Sequence, residues 1–156
     1  VGRQLWNPRV SLELDRLRSR FGVETIDRGR GAAKLLRALR NNTAVGILID
    51  QETKAVAGDF VPFLGTPALT PTGPASICLR FGVPAVTLHI RRIGMEYLLK
   101  VDPPVDLRAF RGAGGVEALT GVFNGRIGEW IVEEPEQWIW FHDRWGRSPR
   151  FRAVVR

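Results

Sequence analysis

Two histidines, one cysteine and scattered carboxylates are all that these 156 residues offer for acid–base or nucleophilic work. Activating a hydroxyl takes an imidazole with a carboxylate held against it. His89 is followed five positions on by Gly94, and His142 by Arg147, so neither forms a His-x4-Asp/Glu pair. His89 reads as a strand residue sharing a polar face with Thr87 and Arg91, and His142 reads as structural. The carboxylate best placed for chemistry is Asp50, at the end of the apolar run Ala44 to Ile49. In open α/β sheets, sites assemble where strands end and loops converge on a crevice. A carboxylate there can orient a basic side chain, accept a substrate hydroxyl, balance an arginine or cap a turn. Cys78 alone allows no internal disulfide and no Cys-rich zinc site. The distant histidines have no ligand spacing, and neither a Gly-x4-Gly-Lys loop nor a Gly-x-Gly-x-x-Gly turn follows a strand. No metal or nucleotide cofactor is expected.

Three blocks carry more information than any single residue. They are Asp50-Gln51, then Phe60-Val61-Pro62-Phe63-Leu64-Gly65 with Ala68-Leu69-Thr70-Pro71-Thr72-Gly73, and finally Pro135-Glu136-Gln137-Trp138-Ile139-Trp140-Phe141-His142-Asp143-Arg144-Trp145. In order and spacing they resemble the bacterial lipid A biosynthesis (late) acyltransferases of the lysophospholipid acyltransferase superfamily, from about Gly2 to about Pro149. Arg3, in Gly2-Arg3-Gln4-Leu5-Trp6-Asn7-Pro8, matches the family's Tyr-Arg-Pro-x-x-Asn-Pro segment, with Gly2 and Gln4 departing from it.

The resemblance implies transfer of a fatty acyl group from acyl carrier protein, or coenzyme A, to a hydroxyl of a lipid A precursor at the cytoplasmic face of the inner membrane. It implies that Arg3, Arg18, Asp50, Gln51, Pro62, Phe63, Thr70, Thr72 and Gly73 line the acceptor site, Asp50 in a supporting catalytic role. The family's His-x4-Asp/Glu belongs upstream of Arg3, so the chain reads as the C-terminal part of a single acyltransferase domain, inactive alone. Val1 as first residue and Met95 as sole methionine agree with a truncated chain. Two competing readings stay open: acylation of another glycolipid such as a phosphoinositol mannoside, and a non-catalytic basic module for anionic lipid or nucleic acid.

Net charge is +7, from 23 Lys and Arg against 16 Asp and Glu, and the isoelectric point is about 10.9. That balance favours an anionic partner. Only Lys34, Lys54 and Lys100 are lysines, leaving arginine, whose planar fork suits bidentate phosphate contacts, to supply the other 20 charges. Alternating charges and the lack of a binding motif argue against nucleic acid. No apolar run approaches the ~20 residues needed to span a bilayer, so membrane contact is expected to be peripheral. Trp130, Trp138, Trp140 and Trp145 suit either an interfacial belt or packing onto a sheet.

These residues need elements to hold them. Asn7-Pro8 with Val10, Leu14, Leu17 and Phe21 on one stripe predicts a helix ending at Gly22, with Arg9, Arg16 and Arg20 opposite. A strand at Val23 to Ile26 and a helix around Leu35, Leu36 and Leu39 follow. Ala44 to Ile49 reads as a doubly covered strand, Gln51 to Asp59 as a polar loop and Phe60 to Gly65 as a compact apolar segment. Thr72-Gly73-Pro74 starts a helix ending at Gly82. Ala85 to Ile90 and Met95 to Val101 pair antiparallel, and a helical stripe runs from Val116 to Ile131 until Pro135 breaks it. The fold class expected is α/β, a mixed, mostly parallel sheet flanked by helices, glycerolipid acyltransferase-like and incomplete at the N-terminus.

Overall fold

The computed structural model describes residues 1, 6–27, 31–51 and 57–149. The chain divides into two compact units, Val1–Leu48 and Ile49–Arg156.

In the first unit, α1 (Pro8–Arg20) begins as the sequence predicts. Asn7 Oδ1 accepts the Arg9 N–H at 3.0 Å, and Pro8 takes a position where no amide is needed. It stops where Gly22 turns to a φ of 70°, in the left-handed region that glycine enters without a Cβ penalty. Asp15 ties the helix to the segment beyond it, accepting the Thr25 hydroxyl at 2.7 Å. The second helix, α2 (Ala32–Arg40), buries Leu35 and turns Lys34, Arg37 and Arg40 to solvent. Val23 to Ile26 is not a strand.

The second unit is built on two antiparallel hairpins and a long helix. β1 (Gly58–Phe63) pairs with β2 (Thr66–Pro71), Val61 opposite Ala68 and Phe63 opposite Thr66. Leu64 and Gly65, with φ of 48° and 74°, make the two-residue connection. Positive φ at both central residues matches the right-handed twist of the strands, although a leucine there carries backbone strain of about 1–2 kcal/mol. α3 (Gly73–Phe81) follows, closed by Gly82 at φ 63°. β3 (Leu88–Ile93) then pairs with β4 (Glu96–Val101) through Gly94 and Met95. Past a 3₁₀ turn at Leu107–Phe110, α4 (Gly115–Glu133) runs until Pro135 ends it.

One face of β1–β2 is the core. Val61, Phe63 and Ala68 are buried together with Leu119, Phe123 and Ile131 of α4, which lies against β1. Leu64, Ile127, Trp138 and Trp145 pack around Phe63, Ala68 and Ile131. Each fully buried large apolar side chain stabilises by roughly 1.5–3 kcal/mol, which makes this layer the anchor of the unit.

The mixed α/β content agrees with expectation; the mostly parallel sheet does not. Among the described residues there are two separate two-stranded antiparallel sheets, β1–β2 and β3–β4. Ala44 to Ile49 has no regular secondary structure and joins no ladder. Apolar character makes a segment fit to be a strand, but only a hydrogen-bonded neighbour makes it one.

Candidate functional site

Asp50 follows the buried Ile49 and is itself half-buried. Its Oδ2 accepts the indole N–H of Trp138 at 3.2 Å, joining residues 88 apart in the chain. Trp138 is held in turn by rings. It lies tilted on Phe63 at 5.8 Å between centroids, edge-on to Trp140 at 4.7 Å and edge-on to Trp145 at 6.3 Å. Such tilted and edge contacts are the favoured arrangements of aromatic quadrupoles. Trp145 closes the set by donating its Nε1–H to the Phe63 carbonyl at 3.3 Å. Asp50, the Phe60–Gly65 segment and the terminal aromatic block therefore meet at one place. Asp50 is fixed through one carboxylate oxygen, and Oδ1 has no hydrogen bond among the described residues. A carboxylate so held can accept a hydroxyl or face a guanidinium.

Beneath that surface lies a polar network that sequence reasoning missed. Arg144 is 0 % exposed and places its guanidinium 4.7 Å above the centroid of the Phe63 ring. Its Nη1 donates to the Leu69 carbonyl and its Nη2 to Thr70 Oγ1, both at 2.7 Å. Asn124 Nδ2, from α4, donates to the same hydroxyl at 3.0 Å and to the Pro62 carbonyl at 3.1 Å. Thr70 passes its own proton to the Ala68 carbonyl at 3.0 Å, so one hydroxyl donates once and accepts twice. A buried cation is tolerable only with such partners. The network locks the terminal block and α4 onto both strands of the hairpin. The available signals were a charge inside an aromatic block and a lone amide in the apolar stripe of α4.

The site residues expected from sequence are distributed unevenly. Pro62 is exposed on the outer side of β1, and Phe63 is at the centre of the core. Thr70 is internal, while Thr72 and Gly73 pass from β2 into α3. Gln51 is exposed beside Asp50. Arg18 belongs to the first unit, where its Nη1 donates to Thr25 Oγ1 at 3.3 Å and pairs with Asp15 at 3.6 Å. Arg3 lies outside the described residues.

His89 does share a face with Arg91, but that face is packed against α4. Its ring stacks on Trp130 at 4.3 Å, Arg91 pairs with Glu134, and Lys100 lies 3.7 Å from Glu133. Burial, reinforced by the Lys100 charge, holds the imidazole pKa below its usual value. Its Nδ1 is buried with no hydrogen-bond partner among the described residues. Burial likewise pushes the Cys78 thiol up, away from the thiolate that nucleophilic work requires. Among the described residues no cluster of His, Cys, Asp or Glu is arranged to hold a metal, and no helix is long and apolar enough to cross a membrane.

Comparison with curated proteins yields no match. The family model described as bacterial lipid A biosynthesis acyltransferase matches residues 1–147, which takes in every block that converges around Asp50 and Phe63. The chain belongs to the bacterial lipid A biosynthesis acyltransferase family.

Proposed function

We propose that these residues form the acceptor-lining part of an acyltransferase domain that moves a fatty acyl group from acyl carrier protein, or coenzyme A, to a hydroxyl of a lipid A precursor. In that reaction the hydroxyl oxygen attacks the thioester carbonyl. The ester C–O bond forms, the C–S bond breaks, and the hydroxyl proton passes to a base as the thiol leaves. The contact that supports this reading is the Asp50–Trp138 hydrogen bond, which unites the family's middle and terminal blocks at one half-buried carboxylate. Asp50 orients the acceptor or its activating base. Arg3 and Arg18, in the first unit, are the cations that the family resemblance assigns to an acidic acceptor head. Pro62, Thr72, Gly73 and Gln51 shape the wall around it, and Phe63 and Thr70 hold that wall from within. The work takes place at the cytoplasmic face of the bacterial inner membrane through peripheral contact.

Neither histidine in the 156 residues has an acid five positions on, so the chain by itself does not turn over acyl thioester. Measurable release of thiol from acyl carrier protein by the purified chain would refute that. When these residues share one polypeptide with a His-x4-Asp/Glu segment, Asp50→Asn or Arg3→Ala lowers transfer to the lipid A precursor at least ~10-fold, about 1.4 kcal/mol of transition-state stabilisation. Undiminished rates in both variants would remove those side chains from the site. Equal rates on a phosphoinositol mannoside acceptor would move the reading to another glycolipid.

A further inference from the structure

The torsion that aims an aspartate's two oxygens is broad, so a carboxylate left to itself points in no fixed direction. Asp50 is not left to itself. Its Oδ2 accepts the Trp138 indole N–H at 3.2 Å, while Oδ1 makes no hydrogen bond and the side chain no ion pair among the described residues. Both partners belong to the second unit, and both are half-buried. Water could reach either group, so burial alone does not force this bond.

The donor is held more firmly than its exposure requires. An indole turns about only two side-chain bonds, and this one meets Phe63 at 5.8 Å, Trp140 at 4.7 Å and Trp145 at 6.3 Å between centroids. Each neighbour is anchored in turn. Trp140 donates its Nε1–H to the Pro135 carbonyl at 2.6 Å, and Trp145 to the Phe63 carbonyl at 3.3 Å. Phe63 is buried under the Arg144 guanidinium, 4.7 Å from its centroid. Guanidinium, phenyl, indole and carboxylate thus follow one another from the core to the site. Support of this kind is what holds a working group to within about 0.5 Å and 10–20° of a productive geometry.

We infer that Trp138 is a positioning residue for the acyl transfer. It acts through Asp50, holding Oδ2 so that Oδ1 is the oxygen turned to the acceptor hydroxyl or its activating base. This deepens the proposed transfer and rests on the part that Asp50 plays in it. A tryptophan that only packed would matter equally whatever stood at position 50.

The bond is read first in the 156-residue chain with its indole nitrogens isotopically labelled for NMR. The Trp138 Nε1–H resonance, identified by its loss in Trp138→Phe, is expected to move toward the position of a free indole in Asp50→Ala; a resonance unmoved by that change would overturn the proposal. The role is read in a polypeptide that joins these residues to a His-x4-Asp/Glu segment, with rates taken per folded enzyme. Trp138→Phe lowers kcat at least ~10-fold, because misplacing a reacting group by about 1 Å costs up to ~100-fold. It leaves KM for acyl carrier protein within ~2-fold of the parent. In the Asp50→Asn background the same change costs less than ~2-fold, since the group it positions is already gone. Should Trp138→Phe fail to fold, benzothienylalanine at position 138 keeps both rings, replaces the N–H by sulfur, and makes the same comparison. An equal loss in both backgrounds, or an undiminished kcat in Trp138→Phe beside a slow Asp50→Asn, would overturn the positioning role and leave the transfer reading standing. Undiminished kcat in Asp50→Asn would instead take Asp50 out of the site, and this role with it.

Discussion

Replacing Arg144 by Met keeps most of the side-chain stem and removes the guanidinium. Two hydrogen bonds from a charged donor disappear, to the Leu69 carbonyl and to Thr70 Oγ1, each 2.7 Å long. Bonds of that kind contribute about 1.5–3 kcal/mol each, and the desolvated stacking on Phe63 adds up to about 2 kcal/mol. Against this, the variant no longer holds a buried cation, which returns several kcal/mol. The Leu69 carbonyl is left without that donor, whereas Thr70 keeps its bonds to Ala68 and Asn124. The balance is a loss of about 3 kcal/mol, of which the Leu69 carbonyl, deprived of its donor, accounts for about 1–3 kcal/mol. Urea unfolding followed by tryptophan emission reads it directly, because Trp138 and Trp145 both sit on the Phe63 ring beneath the guanidinium. Thr70→Val supplies the other corner of a double-mutant cycle, and the two changes should be sub-additive by at least ~1 kcal/mol because they share a bond. An Arg144→Met midpoint within error of the parent, or strictly additive losses, would refute the assignment of this network as the lock on the hairpin.

Trp138→Phe keeps a ring against Phe63 but removes the indole donor from Asp50, and is expected to cost about 1–2 kcal/mol in urea unfolding; an unchanged midpoint would mean that the bond contributes nothing. Gly125→Ala adds a methyl group into open space on α4 and should stabilise by up to about 1 kcal/mol. Gly128→Ala brings its Cβ within 3.3 Å of Leu64 Cδ2, so it should fall at least ~1 kcal/mol short of that gain; equal melting temperatures in the two variants would contradict the packing. His89 is held neutral by its burial against Trp130, beside Lys100, Arg91, Asp102 and Glu133. The unfolded chain takes up protons below about pH 6.5 that the folded chain refuses. Stability is therefore complete above that pH and falls as pH drops toward the folded value; His89→Phe should flatten this slope relative to the parent, and parallel curves would exclude His89 as its source.

The helices were legible because their ends are written locally. Asn7-Pro8 and Gly22 bracket α1, Gly73-Pro74 and Gly82 bracket α3, and Pro135 stops α4. The β3–β4 pair was legible from its two apolar runs, although the ladder starts at Leu88 and not Ala85. Residues 85 and 87 instead accept loop amides through their carbonyls, from Val105 and Asp102. The β1–β2 hairpin was hidden for a physical reason. Pro62, Pro67 and Pro71 argue against strands, and its turn is Leu-Gly where Asn-Gly is the usual signal. The Asp50 site was visible only as separate blocks, since nothing in Trp138 announces a bond to a carboxylate 88 residues away. Arg144 left one signal, a charge inside an aromatic block, but not its burial: that is a property of the surroundings, and periodicity does not encode it.

The β3–β4 pair has one further consequence. Its ladder is two strands wide, so among the described residues the outer side of β4 has no ladder partner, while on β3 the Gln137 side chain already engages both the amide and the carbonyl of Arg92. Leu88, Ile90, Tyr97, Leu99 and Val101 on one face are exposed. A strand edge like that of β4 beside an apolar face is a template on which another extended chain can add. The same hairpin that shelters His89 against α4 thereby limits how concentrated a solution of this chain can become before it self-associates. A charged substitution at Ile90 or Leu99 would raise that ceiling without touching the Asp50 site.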